Sequence, residues 1–436
     1  MRFRIASFFI LIAASASAQR LLTLEEAIAI AVKNNYQIEL SRKDSISAAI
    51  DYSYRNAAAL PRLNGTTGLT TNNNDQYQKF NDGTIRQKTG IQSTNTTATL
   101  SLGWTVFNGL KLYATRERLF EIVQLGGLGV KESISSTISS VIGTYFGIVQ
   151  QKQQLKAIEE QIVLSTERVK LASYKLEIGV GTKPDLLQSK VDLNAQKAAQ
   201  LDQITAISES KEELKHLLNE PGLSDFDVTN EIPFNPNLQL EEIKSKAEKN
   251  NNALLMAEKD LAISKLVLKE RKADQYPTIS INSNYNFNKL DNKAVVNPFS
   301  PLFSRNKGFN YGATINIPIL NSFQTKRNIK QAGLAIEINK IRYDQQKSIL
   351  NLALIKAYTD YEAKKRALQL EEENILLAKE NVSIVFEVYK LNSTTLIQLK
   401  EAQKSLQDAY TRLIKARYNT KLAETELLRL QGNLIQ

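Results

Sequence analysis

The residues able to do chemistry are few, and their surroundings argue against catalysis. His216 is the single histidine and stands in "EELKHLLNE", where it reads as a helix-surface residue. There is no cysteine, hence no thiolate nucleophile, no thiolate metal site and no disulfide framework. Serine and aspartate are plentiful, but no spacing sets them out as a triad. No Gly-rich phosphate loop or metal-ligand spacing occurs. The expectation is a chain without enzyme activity, cofactor or metal. Scarce His, Met and Cys also argue against a conduit for soft metals. Asp185 follows Pro184 and suits the first turn of a helix, where the dipole favours an acid. The formal net charge is +11, but Lys and Arg are mixed with Glu and Asp along helical patterns. They read as solvated faces, and no nucleic acid partner is expected.

The elements carrying these residues are written twice. "LTLEEAIAIAVKNN" from Leu22 returns as "LQLEEIKSKAEKNN" from Leu238, 216 positions on. Leu60-Pro61 matches Tyr276-Pro277 at the same spacing. "WTVFNG" (Trp104 to Gly109) then matches "IPILNS" (Ile317 to Ser322) at 213, as Tyr145 matches Tyr358 and Gly179 matches Asn392. Two tandem repeats follow, 19–219 and 238–436, joined by a Pro-, Asn- and Asp-rich linker, 220–237. Each has the order helix, strand, strand, long helix, helix. The first helix spans Leu22 to Ala58 or Leu238 to Asp274, opened in the first copy by a Thr23/Glu26 capping box. The long helix is about 70 residues, or roughly 105 Å, and ends at Gly179 or Asn392, which tolerate a left-handed turn. Two shorter helices end to end nearly match that length, which suggests one tall tube wall. Leu155, Ile158, Ile162, Val169 and Leu176 recur at coiled-coil spacing. "LGGLGVKES" interrupts the pattern at Leu125 to Ser133 and reads either as a kink or close helix crossing, or as a helix break.

At the N-terminus, "MRFR", the short apolar run "IASFFILIAA" and "SASAQ" form a signal peptide, 1–18, cut after Ala18. No other stretch is apolar enough for a membrane helix, so membrane entry would require β-strands. Strands are expected near 62–72, 94–107, 277–288 and 308–320. Leu100, Leu102, Trp104 and Val106 share one face; Ile315 and Ile317 do so in the second copy, and Thr, Asn and Ser fill the opposite faces. An apolar lipid face and a wet lumen face fit a transmembrane barrel; a soluble β-sandwich is the alternative. Segments 72–93 and 288–307 read as long polar loops. Four strands cannot close a barrel, but three chains supply twelve.

The exported N-terminus, "LTLEEAI…A…NN", "LPRLN", "WTVFNG" and "GVGTKPDLLQSK" together resemble the TolC-like outer-membrane efflux and secretion channels, over nearly the whole mature chain. The resemblance implies a mainly α chain with a transmembrane β-barrel. It implies a homotrimer whose twelve-stranded barrel sits in outer-membrane lipid on a long α-helical barrel extending into the periplasm. A periplasmic adaptor and an inner-membrane transporter would be its partners. The turn after each long helix would form the periplasmic tip and pore constriction. There "YKLNSTTLIQLKE" resembles the family's Y-x-x-G-x-x-x-x-x-D-x-x-D: Tyr389 matches, and Asn392 stands for the glycine. Thr394 stands where a gating arginine often sits, Gln398 replaces the first acid, and Glu401 keeps the second charge. Gly179 and Asp185 match in the first copy, whereas Gln188 lacks a second acid. Threefold symmetry would triple each carboxylate into a cation-favouring ring, with Glu401 first candidate and Asp185 second; Lys183 and Lys400 would weaken it.

The expected function is the exit duct of a tripartite efflux system for small molecules. A type I protein secretion duct is the alternative. A periplasmic adaptor or structural coiled coil is a more distant one, since adaptors have one hairpin and this chain has two equal copies.

Overall fold

The computed structural model describes residues 20–223, 225–432 and 434. The expected signal peptide and its cleavage site lie outside them. The chain divides into two compact units: one holds residues up to Arg42, Gly129–Leu255 and Lys347 onward, the other Lys43–Leu128 and Met256–Gln346.

The first copy runs β1 (Arg20–Leu21), α1 (Leu24–Asn34), α2 (Tyr36–Ser53), β2 (Arg62–Lys79), β3 (Ile85–Asn108), α3 (Lys111–Glu177) and α4 (Lys183–Leu218). After β4 (Phe226–Asp227) the second runs α5 (Leu240–Asn250), α6 (Asn252–Ala273), β5 (Thr278–Asn292), β6 (Phe303–Asn316), α7 (Gln324–Lys390) and α8 (Leu396–Gln431). Among the described residues, no helix is long and apolar enough to cross a membrane.

The single opening helix expected in each copy is two helices. The chain turns to extended backbone at Asn35 (ψ 130°) and Asn251 (ψ 117°). Each asparagine then caps the next helix: Asn35 Oδ1 accepts from Gln37 N at 2.9 Å, and Asn251 Oδ1 from Leu254 N at 3.1 Å. Each also donates Nδ2–H to the end of the copy's last helix, Leu217 O at 2.9 Å and Leu430 O at 3.0 Å. One side chain thus satisfies a helix start and a helix end. Tyrosines 213 apart do parallel work: Tyr145 donates to Leu22 O at 2.9 Å and Tyr358 to Leu238 O at 3.5 Å. Around Tyr145, the residues Leu22, Ala27, Val141, Leu214, Leu218 and Phe226 are all fully buried and form this unit's main core. Parallel pairing of β1 with β4 closes it.

In the other unit β2-β3-β5-β6 form one antiparallel sheet in that order. The polar stretch 72–93 is not a loop. β2 and β3 pair through it to a tight turn, where Phe80 N bonds Thr84 O at 2.9 Å, interrupted by a bulge near Asn74/Gln76. Thr/Asn/Gln strands need no apolar face where water covers both sides, so periodicity did not reveal them. Helix α3 runs unbroken through the Gly126–Gly129 stretch. A Cβ on Gly126 would stand 3.2 Å from Ser45 Cα of α2, so the close-crossing reading holds there; Gly127 and Gly129 have open space.

Candidate pore constriction

The two helix-to-helix turns at 178–182 and 391–395 hold the expected tip residues. Gly179 has φ +83° and Asn392 φ +59°, the left-handed conformation that ends α3 and α7. Gly181 is needed for closeness: a Cβ there would meet Leu176 N at 2.9 Å. Thr182 caps α4 by accepting from Asp185 N at 3.3 Å, and Thr395 caps α8 by accepting from Gln398 N at 3.3 Å.

These caps assign the matching pair Asp185 and Gln398. Asp185 Oδ2 accepts from Thr182 Oγ1 at 2.6 Å. Gln398 Oε1 accepts from Thr395 N at 3.3 Å and from Thr394 Oγ1. Both side chains are turned back onto their own turn. Glu401 is different. It lies one turn farther along α8, is exposed, and its side chain has no ion pair or hydrogen bond among the described residues. It lines a shallow groove with Asn381, Val385, Thr394, Gln398 and Ser405. Lys400 does not neutralise it, being 3.1 Å from Asp192.

Tyr389 is buried rather than free at the tip. The Lys175 ammonium sits 3.8 Å from its ring centroid and donates to its carbonyl at 2.6 Å, tying the end of α3 to the end of α7. Burial pushes the Tyr389 hydroxyl above the usual tyrosine range, with Asp185 adding to the rise and Arg168 opposing it. Burial also lowers Lys175, against the pull of Asp185.

The helix seams show what sequence reasoning missed. On α7 the buried positions Leu354, Tyr361, Leu368, Ile375, Val382 and Tyr389 recur at seven, and on α8 Leu399, Leu406, Leu413, Thr420 and Leu427 do so. Strict sevens are the mark of left-handed supercoiled packing. On α3 the seam expected at Ile162, Val169 and Leu176 is displaced by one residue. Those three are half-buried, while Ile158, Gln161, Ser165, Arg168, Ala172 and Lys175 are buried. Toward the tip, α3 therefore packs polar side chains inward. Arg168, 3% exposed, donates to Gln403 Oε1 at 2.7 Å on α8 and to Asp192 Oδ2 at 2.8 Å on α4. Asp192 also accepts from Gln188 at 2.9 Å and Lys400 at 3.2 Å. Burial lowers the Arg168 pKa while Asp192 holds it up. Continuing the heptad from Ile158 through polar residues would have found this set.

On the strands, Leu100, Trp104, Tyr285, Phe309, Tyr311 and Ile315 leave large apolar surfaces exposed on one face of the sheet, and Leu102 shares it by register; Ile317 is exposed just beyond β6. Asn282, Asn284, Thr99 and Thr314 take the other face, where Thr99 pairs Asn286 at 3.2 Å and Asn282 pairs Thr314 at 3.3 Å. Among the described residues no His, Asp or Glu cluster could hold a metal ion.

Comparison with known proteins bears on the fold and the family. The chain is 20% identical to the outer membrane efflux protein BepC of Brucella suis biovar 1 (strain 1330) over 422 residues, covering 94% of this chain and 86% of that one. It is 19% identical to the outer membrane protein TolC of Vibrio cholerae over 384 residues, covering 87% and 83%. Its fold is similar to the CmeC outer membrane channel of Campylobacter jejuni, with a TM-score of 0.75, 16% identity and coverage of 94% and 85%. It is equally similar to CusC, with a TM-score of 0.75, 16% identity and coverage of 94% and 92%. The family described as outer membrane efflux protein matches residues 27–220 and 243–433, one segment per copy. With its doubled helix-strand-strand-helix-helix order and its two-faced sheet, the chain belongs to the outer membrane efflux protein family, TolC-like channels of the outer membrane that extend into the periplasm.

Proposed function

We propose that three copies of the chain close a twelve-stranded barrel and act as the passive exit duct of a tripartite efflux system. A periplasmic adaptor and an inner-membrane transporter would feed small molecules into it. The observation that carries this reading is the sheet's pair of open edges. β2 and β6, of 18 and 14 residues, each have a partner on one side only. Open edges of that length invite pairing with another chain, and lipid requires every backbone group to be satisfied. Pairing β2 of one copy with β6 of the next does both. In that assembly Glu401 forms a ring of three carboxylates at the constriction and favours cations in transit, with Asp185 and Gln398 held back as helix caps.

The native chain has no cysteine, which makes the test clean. Chains carrying one cysteine on β2 and one on β6, scanned in pairs along both strands, should yield covalent trimers in membranes at matched registers. If no β2–β6 pair cross-links at any register, the closed trimer fails. Loss of small-molecule export without loss of protein secretion, in cells lacking the chain, supports efflux; the reverse supports a secretion duct.

A further inference from the structure

The apolar face of the sheet ends in a patch of positive charge. In the β5–β6 register Ile281 stands beside Ala313, Ser283 beside Tyr311, Tyr285 beside Phe309, Phe287 beside Lys307, and Lys289 beside Arg305. Directly opposed residues share a face. Lys289, Arg305 and Lys307 therefore continue the face that carries Ile315, Tyr311 and Phe309, starting one pair past the aromatic belt. Arg305 and Lys307 are exposed, and neither has an ion pair or side-chain hydrogen bond among the described residues. Lys289 is 3.5 Å from the Asp291 carboxylate and lies over the Phe303 ring at 5.7 Å.

Asp291 offsets Lys289 alone. Like charges directly opposite on a sheet are destabilising, so Arg305 beside Lys289, with Lys307 one pair away, calls for an anion from outside. The position specifies which. At their other ends β5 and β6 lead to the helices, which in this family reach into the periplasm; the turn at 293–302 therefore faces outward. Aromatic residues collect where acyl chains meet headgroups. The three cations stand just beyond that belt, at headgroup depth in the outer leaflet.

We propose that Lys289, Arg305 and Lys307 bind the phosphate groups of outer-leaflet lipid while the acyl chains lie on Tyr285, Phe309 and Tyr311. The Arg305 fork suits two phosphate oxygens, and the two lysines supply point charges. A free phosphate would use the cations but not the aromatic belt. The inference rests on the outer-membrane location and not on the efflux reading, so it stands or falls apart from whether the chain conducts.

The test uses the full chain in nanodiscs of phosphatidylcholine with or without lipid A. Binding is read by lipid retained in native mass spectrometry and by the shift in unfolding temperature. Wild type should retain lipid A and unfold at a higher temperature with it. Each cation near an anionic surface strengthens attachment roughly fivefold, so the Lys289→Gln/Arg305→Gln/Lys307→Gln variant should lose on the order of 100-fold in affinity. Lys88→Gln removes a charge paired with Gln76 on the polar face and should change nothing. Arg305→Lys should keep most of the binding. Wild type indifferent to lipid A overturns the proposal without any variant being needed. So does a folded triple variant that binds as wild type, or displacement of lipid A by inorganic phosphate at equal concentration.

Discussion

Removing the Asp192 carboxylate strands a buried cation. Arg168 is 3% exposed and has two acceptors, Asp192 and Gln403, while its Nε is buried without a partner. In Asp192→Ala the guanidinium keeps only the neutral Gln403, and Lys400 and Gln188 lose a partner as well. Breaking a buried pair by deleting one side costs about 3–5 kcal/mol. The Asp192 side chain is 20% exposed, so the lower end applies, about 3 kcal/mol. The damage should be local, at the junction of α3, α4 and α8. Hydrogen exchange read by mass spectrometry over 160–200 and 396–408 should show protection falling on the order of 100-fold, with the core around Tyr145 unchanged. The paired variant Arg168→Met/Asp192→Leu should regain most of that protection, since apolar replacements of a buried pair are often neutral or better. Exchange in Asp192→Ala within about twofold of wild type, or a double variant worse than the single, would refute the view that this seam is held by a compensated charge.

Asn251→Ala removes one acceptor at a helix start and one donor at a helix end; a loss of about 1–2 kcal/mol is expected in chemical unfolding, and Asn251→Asp should fall between. Asn392→Gly should be neutral or slightly stabilising because φ is +59°, whereas Gly181→Ala should disturb the tip visibly in exchange or in conductance noise. Tyr361 is fully buried and hydrogen-bonded to Asn235 O. Burial, with Glu424 and Glu362 nearby, pushes its hydroxyl up to about 12 from 10.0. A raised pKa means the folded state holds the proton longer. That stability is fully present below pH 10 and is lost as pH rises toward about 12. Tyr361→Phe should be less stable at neutral pH but should flatten the alkaline decline; an unchanged slope would show that Tyr361 is not its source.

The doubled order, the two-faced strands and the left-handed turns were legible because each is a local pattern: "KNN" twice, period two in "TATLSLGWTVF", Gly179 and Asn392 at one spacing. What stayed hidden depends on partners far along the chain. Asn35 and Asn251 break their helices because Leu217 and Leu430 lie in reach, about 180 residues away. The α3 seam was misread because apolar residues were used to trace it, and near the tip the buried positions are polar. Matching the tip to a family motif ranked Glu401 first and Asp185 second, with Gln398 in place of an acid, but gave no physical ground for the order. The capping bonds separate them, leaving Glu401 as the carboxylate with no internal task.

The most direct measurement is single-channel conductance and reversal potential of the purified chain in planar bilayers under a salt gradient, wild type against Glu401→Gln. A duct gated by a ring of three Glu401 carboxylates predicts discrete openings, cation preference in wild type, and loss of much of that preference in the variant with openings retained. Absence of channels would contradict the duct itself, and an unchanged reversal potential would contradict the Glu401 ring.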